Sequence, residues 1–167
     1  MRVVRGAGVM LEPQVAGHAA ELFAILSDPA LYAYLDEAPP ADEATLRTRL
    51  ARLESRLSGD GSEDWLNWIV RRPDGTMVGY VQATVYRDGR ADVAYVIGSA
   101  HWRRGYAAAA TETMLGELAA AYGVTLAQTI VDPANAASIG LLRKLGFEQI
   151  SDDTALPDIA FMKDLAS

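Results

Sequence analysis

The sequence predicts an α+β fold, a mixed and mostly antiparallel central sheet flanked by helices. Three observations carry that reading. Apolar residues recur at helical spacing in four separate stretches. Between the second and third of these lie three segments rich in aromatic and β-branched residues, joined by turns short enough to force hairpins. Beyond them strand-like and helix-like segments alternate to the end of the chain, so the helices must cover a sheet rather than form a bundle.

After an opening strand, Val15, Ala19, Leu22, Phe23 and Leu26 mark the first helix, which stops at Asp28 and Pro29 because proline disfavours helix before it. Asp42, after the turn-forming Pro39 and Pro40, is an N-cap candidate. The second helix then carries the stripe Leu46, Leu50, Leu53 and Leu57 and ends at Ser58 and Gly59. Trp65 to Val70, Met77 to Tyr86 and Ala91 to Ile97 are the three strands of a meander, turned by Pro73-Asp74-Gly75 and by Asp88-Gly89. Trp65 and Trp68, three apart on a strand, point to opposite faces: one belongs in the core and the other is free to border a pocket. Gly105 opens an alanine-rich helix with Met114, Leu115, Leu118 and Tyr122 on its core face and Gly123 as its C-terminal cap. Thr125 to Val131 is a strand, Asn135 to Leu145 a helix closed by Gly146, and strands near Phe147 to Ile150 and Ile159 to Lys163 complete the sheet.

A chain of 167 residues fits a single domain spanning 1–167. Half of it is apolar and 22% charged, as in a globular core. It has no cysteine, which excludes disulfides, thiolate metal sites and a cysteine nucleophile. A net charge of -7 argues against nucleic acid, whose phosphates call for surplus lysine and arginine. The chain contains no signal peptide pattern and no run of about 18 apolar residues, so no membrane partner and a cytoplasmic location are expected. His18 and His101 each stand alone without carboxylates at ligand spacing, so no metal site is expected. Sheet edges near the termini leave monomer and homodimer open.

Chemistry concentrates in Tyr95 to Ala110, YVIGSAHWRRGYAAAA, where a strand passes through a loop into a helix. The first amides of a helix lack intrahelical partners and its dipole is positive there, which suits a pyrophosphate. Arg103 and Arg104 add charge, Gly105 permits the turn, and Ala107 and Ala108 keep side chains clear of the phosphates. By itself such a loop reads first as a tight turn with two solvated arginines. A second segment, VDPANAASIGLLRKLGFE from Val131 to Glu148, puts Asn135 and Ser138 in the first turn of a helix that closes with Leu145-Gly146-Phe147.

Together the two segments resemble the GNAT superfamily of N-acetyltransferases, especially its RimJ/RimL-like branch, which acetylates ribosomal-protein N-termini. Gly105 and Ala107 match the last two fixed positions of that family's pyrophosphate loop, Trp102 stands at the first, and Asn135, Ser138 and Leu145-Gly146-Phe147 match its later signature. The resemblance covers nearly the whole chain. It implies acetyl-CoA as co-substrate, with no metal, and direct transfer to a primary amine, either a peptide N-terminus or a small cationic amine. It further implies that Val96, Ile97 and Gly98 pair with the pantetheine arm, with the Ile97 N–H as oxyanion donor, and that Arg103 to Ala108, including Tyr106, hold the phosphates. One departure is plain: many members carry a tyrosine acid four residues before the glycine, where this chain has Leu142.

Direct transfer needs a base, an oriented thioester, an oxyanion donor and an acid. Asp92 stands where relatives often carry a glutamate and is the candidate base; as a residue it is equally a surface carboxylate beside a turn. Ser138 is the candidate acid, with water as its substitute, and also a first-turn hydroxyl; Asn135 is both N-cap and cofactor contact. In the resembling branch the acceptor cleft is bordered by two loops that are acidic here, Tyr34-Leu35-Asp36-Glu37 and Ser151-Asp152-Asp153. Tyr34, Asp36 and Glu37 are therefore the candidate acceptor contacts. The missing tyrosine leaves an alternative, a non-catalytic acyl-CoA-binding sensor module.

Overall fold

The computed structural model describes residues 1–35, 37–150 and 158–166. Its strands are β1 (Val4–Gly6), β2 (Val9–Pro13), β3 (Glu63–Arg71), β4 (Met77–Tyr86), β5 (Arg90–Ile97), β6 (Leu126–Val131), β7 (Glu148–Gln149) and β8 (Ile159–Asp164). Its helices are α1 (Ala19–Leu26), α2 (Glu43–Leu53), α3 (Tyr106–Tyr122) and α4 (Ala136–Lys144). The strands form one eight-stranded sheet in the order β1-β2-β3-β4-β5-β6-β8-β7. Every neighbouring pair is antiparallel except β5 with β6. The mixed, mostly antiparallel architecture expected from the sequence is present.

Local chemistry accounts for most boundaries. The Asp42 carboxylate accepts from the Thr45 amide at 2.7 Å and so caps α2. Gly105 and Gly123 bracket α3 in left-handed conformations, φ +82° and +66°, that a side chain would strain. The α4 C-terminus is held from outside: Lys163 on β8 donates Nζ to the Leu145 carbonyl at 2.5 Å, where its charge also opposes the helix dipole. Two expectations need correction. The α2 stripe ends at Leu53, and Leu57 is 44% exposed, because the chain reverses at Arg56 through φ +59°. The expected single opening strand is a hairpin, β1 and β2, turned at Gly8 with φ +74°. A three-residue strand is too short to show a period of two.

The sheet separates two apolar clusters. Leu66, Trp68 and Val70 of β3 pack with Met114 and Leu118 of α3 and Leu142 of α4, whereas Ile69 joins Leu22 of α1 and Leu46 and Leu50 of α2. Alternation along β3 therefore puts α3 and α4 on one face and α1 and α2 on the other. Trp68 is fully buried, and Trp65, of opposite parity, lies on the α1/α2 face. Complete burial of a side chain such as Leu66 stabilises by roughly 1.5–3 kcal/mol, so both layers contribute to holding the sheet.

An ion network ties β2, β3 and α1 together at one corner. Arg71 donates to Glu12 at 2.6 Å and to Glu21 at 2.9 Å. The hydrogen bonds from Arg71 hold both carboxyls below the usual glutamate range. Their folded pKa lies below the unfolded value of about 4.3, so the stability they contribute is complete above that pH and is lost as pH falls through the folded pKa. Arg71→Met should therefore unfold at lower urea than the parent at pH 7, and the gap between the two midpoints should narrow below about pH 4. Close packing predicts a second loss. A Cβ on Gly79 would lie 2.0 Å from the Val96 carbonyl oxygen across the β4–β5 pair, so Gly79→Ala should cost ~1–3 kcal/mol, read as a lower melting temperature.

Candidate active site

β5 and β6 are paired only at Arg90 with Leu126, Ala91 with Ala127 and Asp92 with Gln128, and then diverge. The last register pair is cross-linked by its side chains, Gln128 Nε2 donating to Asp92 Oδ1 at 2.6 Å. On its other edge β5 stays paired with β4 through Ile97, and the Gly98 amide donates to the Val78 carbonyl at 2.8 Å. Gly98 thus faces β4, and alternation turns Val96 the same way. The backbone groups of Tyr95 and Ile97 are directed into the gap toward β6. Trp102 Nε1 donates to the Ile97 carbonyl at 2.6 Å, leaving the Ile97 amide and both Tyr95 groups at the edge of a cleft. Val96 instead presents its side chain to a cavity on the α1/α2 face.

The cleft opens toward the loop before α3. Arg103 and Gly105 both have positive φ, +59° and +82°, and flank Arg104, so successive amides curve into a concavity that suits an anion. No side chain caps α3 and its first turn carries no acidic residue, and a Cβ on Gly105 would meet nothing within 4 Å. The N–H groups of Tyr106, Ala107 and Ala108 therefore face open space beside two exposed arginines. His101 supports the loop edge-on against Tyr106, ring centroids 6.2 Å apart. Burial, with Arg104 and Arg72 adding to it, holds its pKa below the ordinary histidine value, so it is neutral at pH 7. Ser99, just after β5, donates to Asp28 before the first residues of the 3-10 turn Pro29–Tyr32, which latches the α1 end to this loop.

Across the cleft stands α4. The Asn135 side chain accepts from the Ser138 amide at 3.1 Å, so the N-cap role is met. The Tyr95 hydroxyl donates to Ser138 Oγ at 3.0 Å, which leaves the serine proton free to point elsewhere. Burial raises the Tyr95 pKa, so the phenol stays protonated. Leu142 is fully buried in the α3/α4 core. The hydroxyl pair at this edge is thus built from β5 and from the first turn of α4.

Asp92 lies on the opposite face, level with Thr84. Its Oδ2 accepts from Tyr86 at 2.5 Å while Oδ1 takes Gln128. The hydrogen bond to Asp92 pushes the Tyr86 phenol up to about 12, so it remains a donor. Two cavities adjoin on this face. One, of about 130 Å³, is lined by Tyr32, Glu37, Arg49, Tyr80 and Val96 among others. The other, of about 370 Å³, is lined by Arg49, Arg52, Leu53, Trp65, Asn67, Gln82, Ala83 and Thr84. Burial pushes the Tyr80 phenol up to about 12.

Ile97 and Gly98 close β5, Arg103 to Ala108 follow as the loop and first turn of α3, and the Tyr95–Ser138 hydrogen bond brings Ser138, with its cap Asn135, to the same strand. The fold sets Asp92 at the cleft's closed end and Glu37 at the smaller cavity. Tyr34 is 46% exposed and lines neither cavity, while Asp36 and the Ser151-Asp152-Asp153 loop lie outside the described residues. Sequence reasoning missed Tyr95, Tyr86 and Gln128, whose partners are distant in the chain, and it missed the arginines of α2. Among the described residues no group of three or more histidines or carboxylates could hold a metal ion. No helix among them is long and apolar enough to cross a membrane.

Comparison with known proteins agrees with this fold. The family model of the acetyltransferase (GNAT) domain matches residues 9–148. An uncharacterized N-acetyltransferase p20 of Bacillus licheniformis is 26% identical over 125 residues, 74% of this chain and 69% of that one. RimJ of Mycobacterium smegmatis, solved in complex with CoA-disulfide, superposes with a TM-score of 0.82 at 18% identity, covering 97% of this chain and 85% of that one. Spermidine N-acetyltransferase of Vibrio cholerae, in complex with CoA and spermine, gives 0.80 at 13% identity, with 95% and 96% covered. At such identities the solved structures demonstrate a shared fold.

Proposed function

The chain belongs to the GNAT acetyltransferase family and is an acetyl-CoA-dependent acyltransferase, and from that premise we propose that it transfers acetyl directly to a primary amine, within the RimJ/RimL-like branch. The acceptor classes expected from the sequence are a peptide N-terminus and a small cationic amine. One observation carries the reading: β5 and β6 part beyond Asp92, directly beside an uncapped helix N-terminus flanked by arginines. A split sheet with free backbone groups matches an amide-bearing arm, and the helix end matches its phosphates.

Acetyl-CoA supplies the activated acyl group as a thioester. The residues of this chain divide the remaining work. Amides of Tyr106, Ala107 and Ala108, with Arg103 and Arg104, hold the phosphates. Tyr95 and Ile97 offer backbone groups to the pantetheine amides, the Ile97 N–H being the candidate donor to the oxygen that gains charge. Val96 and Gly98 act at one remove, keeping β5 straight against β4. Asp92, with one lone pair on each oxygen engaged, retains the capacity to take an amine proton through water. Ser138 is the candidate donor to the departing thiolate. Tyr95, hydrogen-bonded to Ser138 Oγ, restores that proton and regains its own from solvent. An α-amine of pKa about 8 asks little of such a base.

Acetyl-CoA should raise the melting temperature of the parent protein, since a ligand bound only by the native state stabilises it. In Gly105→Glu and in the double variant Arg103→Glu/Arg104→Glu that rise should vanish, and an unchanged affinity by calorimetry would move the cofactor site elsewhere. Ser138→Ala and Tyr95→Phe should each lower kcat by about tenfold or more at unchanged acetyl-CoA affinity, with the double variant little worse than either, because the two hydroxyls act as a unit. Acetyl-CoA binding without thiol release against any amine would make the protein a sensor module instead.

A further inference from the structure

The larger cavity on the α1/α2 face has a charge opposite to that of the protein. The chain carries 22 acidic against 15 basic residues, yet the eight residues lining this cavity include two arginines, Arg49 and Arg52, and no carboxylate. Nearby acids are engaged elsewhere. Glu54 accepts from the Ala16 amide at 2.6 Å, Glu63 from Trp65 Nε1 at 2.9 Å, and Asp64 pairs with Arg87 at 3.0 Å. The third arginine of α2, Arg47, pairs with Glu43 at 2.6 Å. The side chains of Arg49 and Arg52 make no ion pair or hydrogen bond among the described residues.

The floor adds a second, independent observation. Asn67 and Gln82 are cross-strand partners on β3 and β4, and neither side chain has a hydrogen-bond partner among the described residues. Asn67 is only 7% exposed and lines the cavity, so what its amide can still hydrogen-bond lies on the cavity side. The larger cavity offers guanidinium and amide donors with no carboxylate in its own lining, Glu37 standing beyond Arg49 in the smaller one, which is the chemistry of a carboxylate site. Arg49 also lines the smaller cavity with Tyr80 and Val96, so the two spaces join at that side chain and lead to the edge of the β5 cleft.

We propose that the larger cavity is a carboxylate subsite, and that the acceptor is a primary amine bearing a carboxylate, presented either by a free amino acid or by a peptide N-terminus with an acidic residue close behind it. This rests on the transfer reading above and narrows its acceptor. Arg49 and Arg52 bind the carboxylate, Asn67 and Gln82 complete its hydrogen bonds, and the amine extends past Tyr80 and Val96 to the cleft. A polyamine, which would place a second cation beside the arginines, is disfavoured by the same field.

Matched acceptors test it: free amino acids against their amides, the peptide Ser-Asp-Gly-amide against Ser-Asn-Gly-amide, and spermidine, each at saturating acetyl-CoA. The parent protein should prefer a carboxylate compound over its amide by about tenfold or more in kcat/KM, the range of a charge-assisted hydrogen bond. Arg49→Gln/Arg52→Gln should lose that preference chiefly through acceptor KM, and Arg49→Glu should shift it toward spermidine. Preference among free amino acids or among the peptides identifies which source carries the carboxylate. Independently of turnover, N-acetylaspartate should raise the melting temperature of the parent and not of the double arginine variant. Equal rates for acid and amide, or spermidine as best acceptor, overturns the carboxylate subsite while leaving amine acetylation intact. Failure to acetylate any amine overturns both.

Discussion

Strands β5 and β6 share a ladder for three residue pairs and part where Gln128 is hydrogen-bonded to Asp92. A buried strand edge with unpaired N–H and C=O groups is costly, so a fold keeps one only where something else can pair with it. Here the fold also prevents the edge from closing. β4 holds one side of β5, Trp102 occupies the Ile97 carbonyl, and β6 is drawn away by its full pairing with β8. The uncapped start of α3 and the first turn of α4 then have an aperture to face.

The same parting decides how the chemistry is divided. Tyr95 and Ser138 lie on the α3/α4 side, while Asp92, Tyr80, Arg49 and Arg52 lie on the α1/α2 side. A donor and an acceptor that approach from opposite faces need not pass each other, and each face is free to hold its own charge. The α3/α4 side carries the loop with the exposed Arg103 and Arg104. The other side has Arg49 and Arg52 on its larger cavity, although the chain as a whole is acidic. Net charge describes the average field of a protein and not the field within one cavity.

Much of this was legible in the sequence because it is local. Asp42, Gly105 and Gly123 act on residues one turn away, so their caps can be read from spacing. Trp65 and Trp68 divide between faces by strand parity alone. The β1–β2 hairpin was not legible, since three residues show no period and Gly6 packs on Thr113 of α3, far along the chain. Leu57 continued a helical stripe in sequence, but the chain had already turned at Arg56.

The sequence by itself determined the order of helices and strands from α1 onward, the start of α2 and the glycines that bracket α3, because those depend on neighbours within about a turn of helix or a hairpin. Tertiary structure alone decided that Tyr95 meets Ser138 across 43 positions, that Asp92 is held by Tyr86 and Gln128, and that Arg49 and Arg52 stand over Asn67. Hydrogen bonds and fields between distant residues depend on register and on which edges remain unpaired. Neither leaves a periodic trace in the chain.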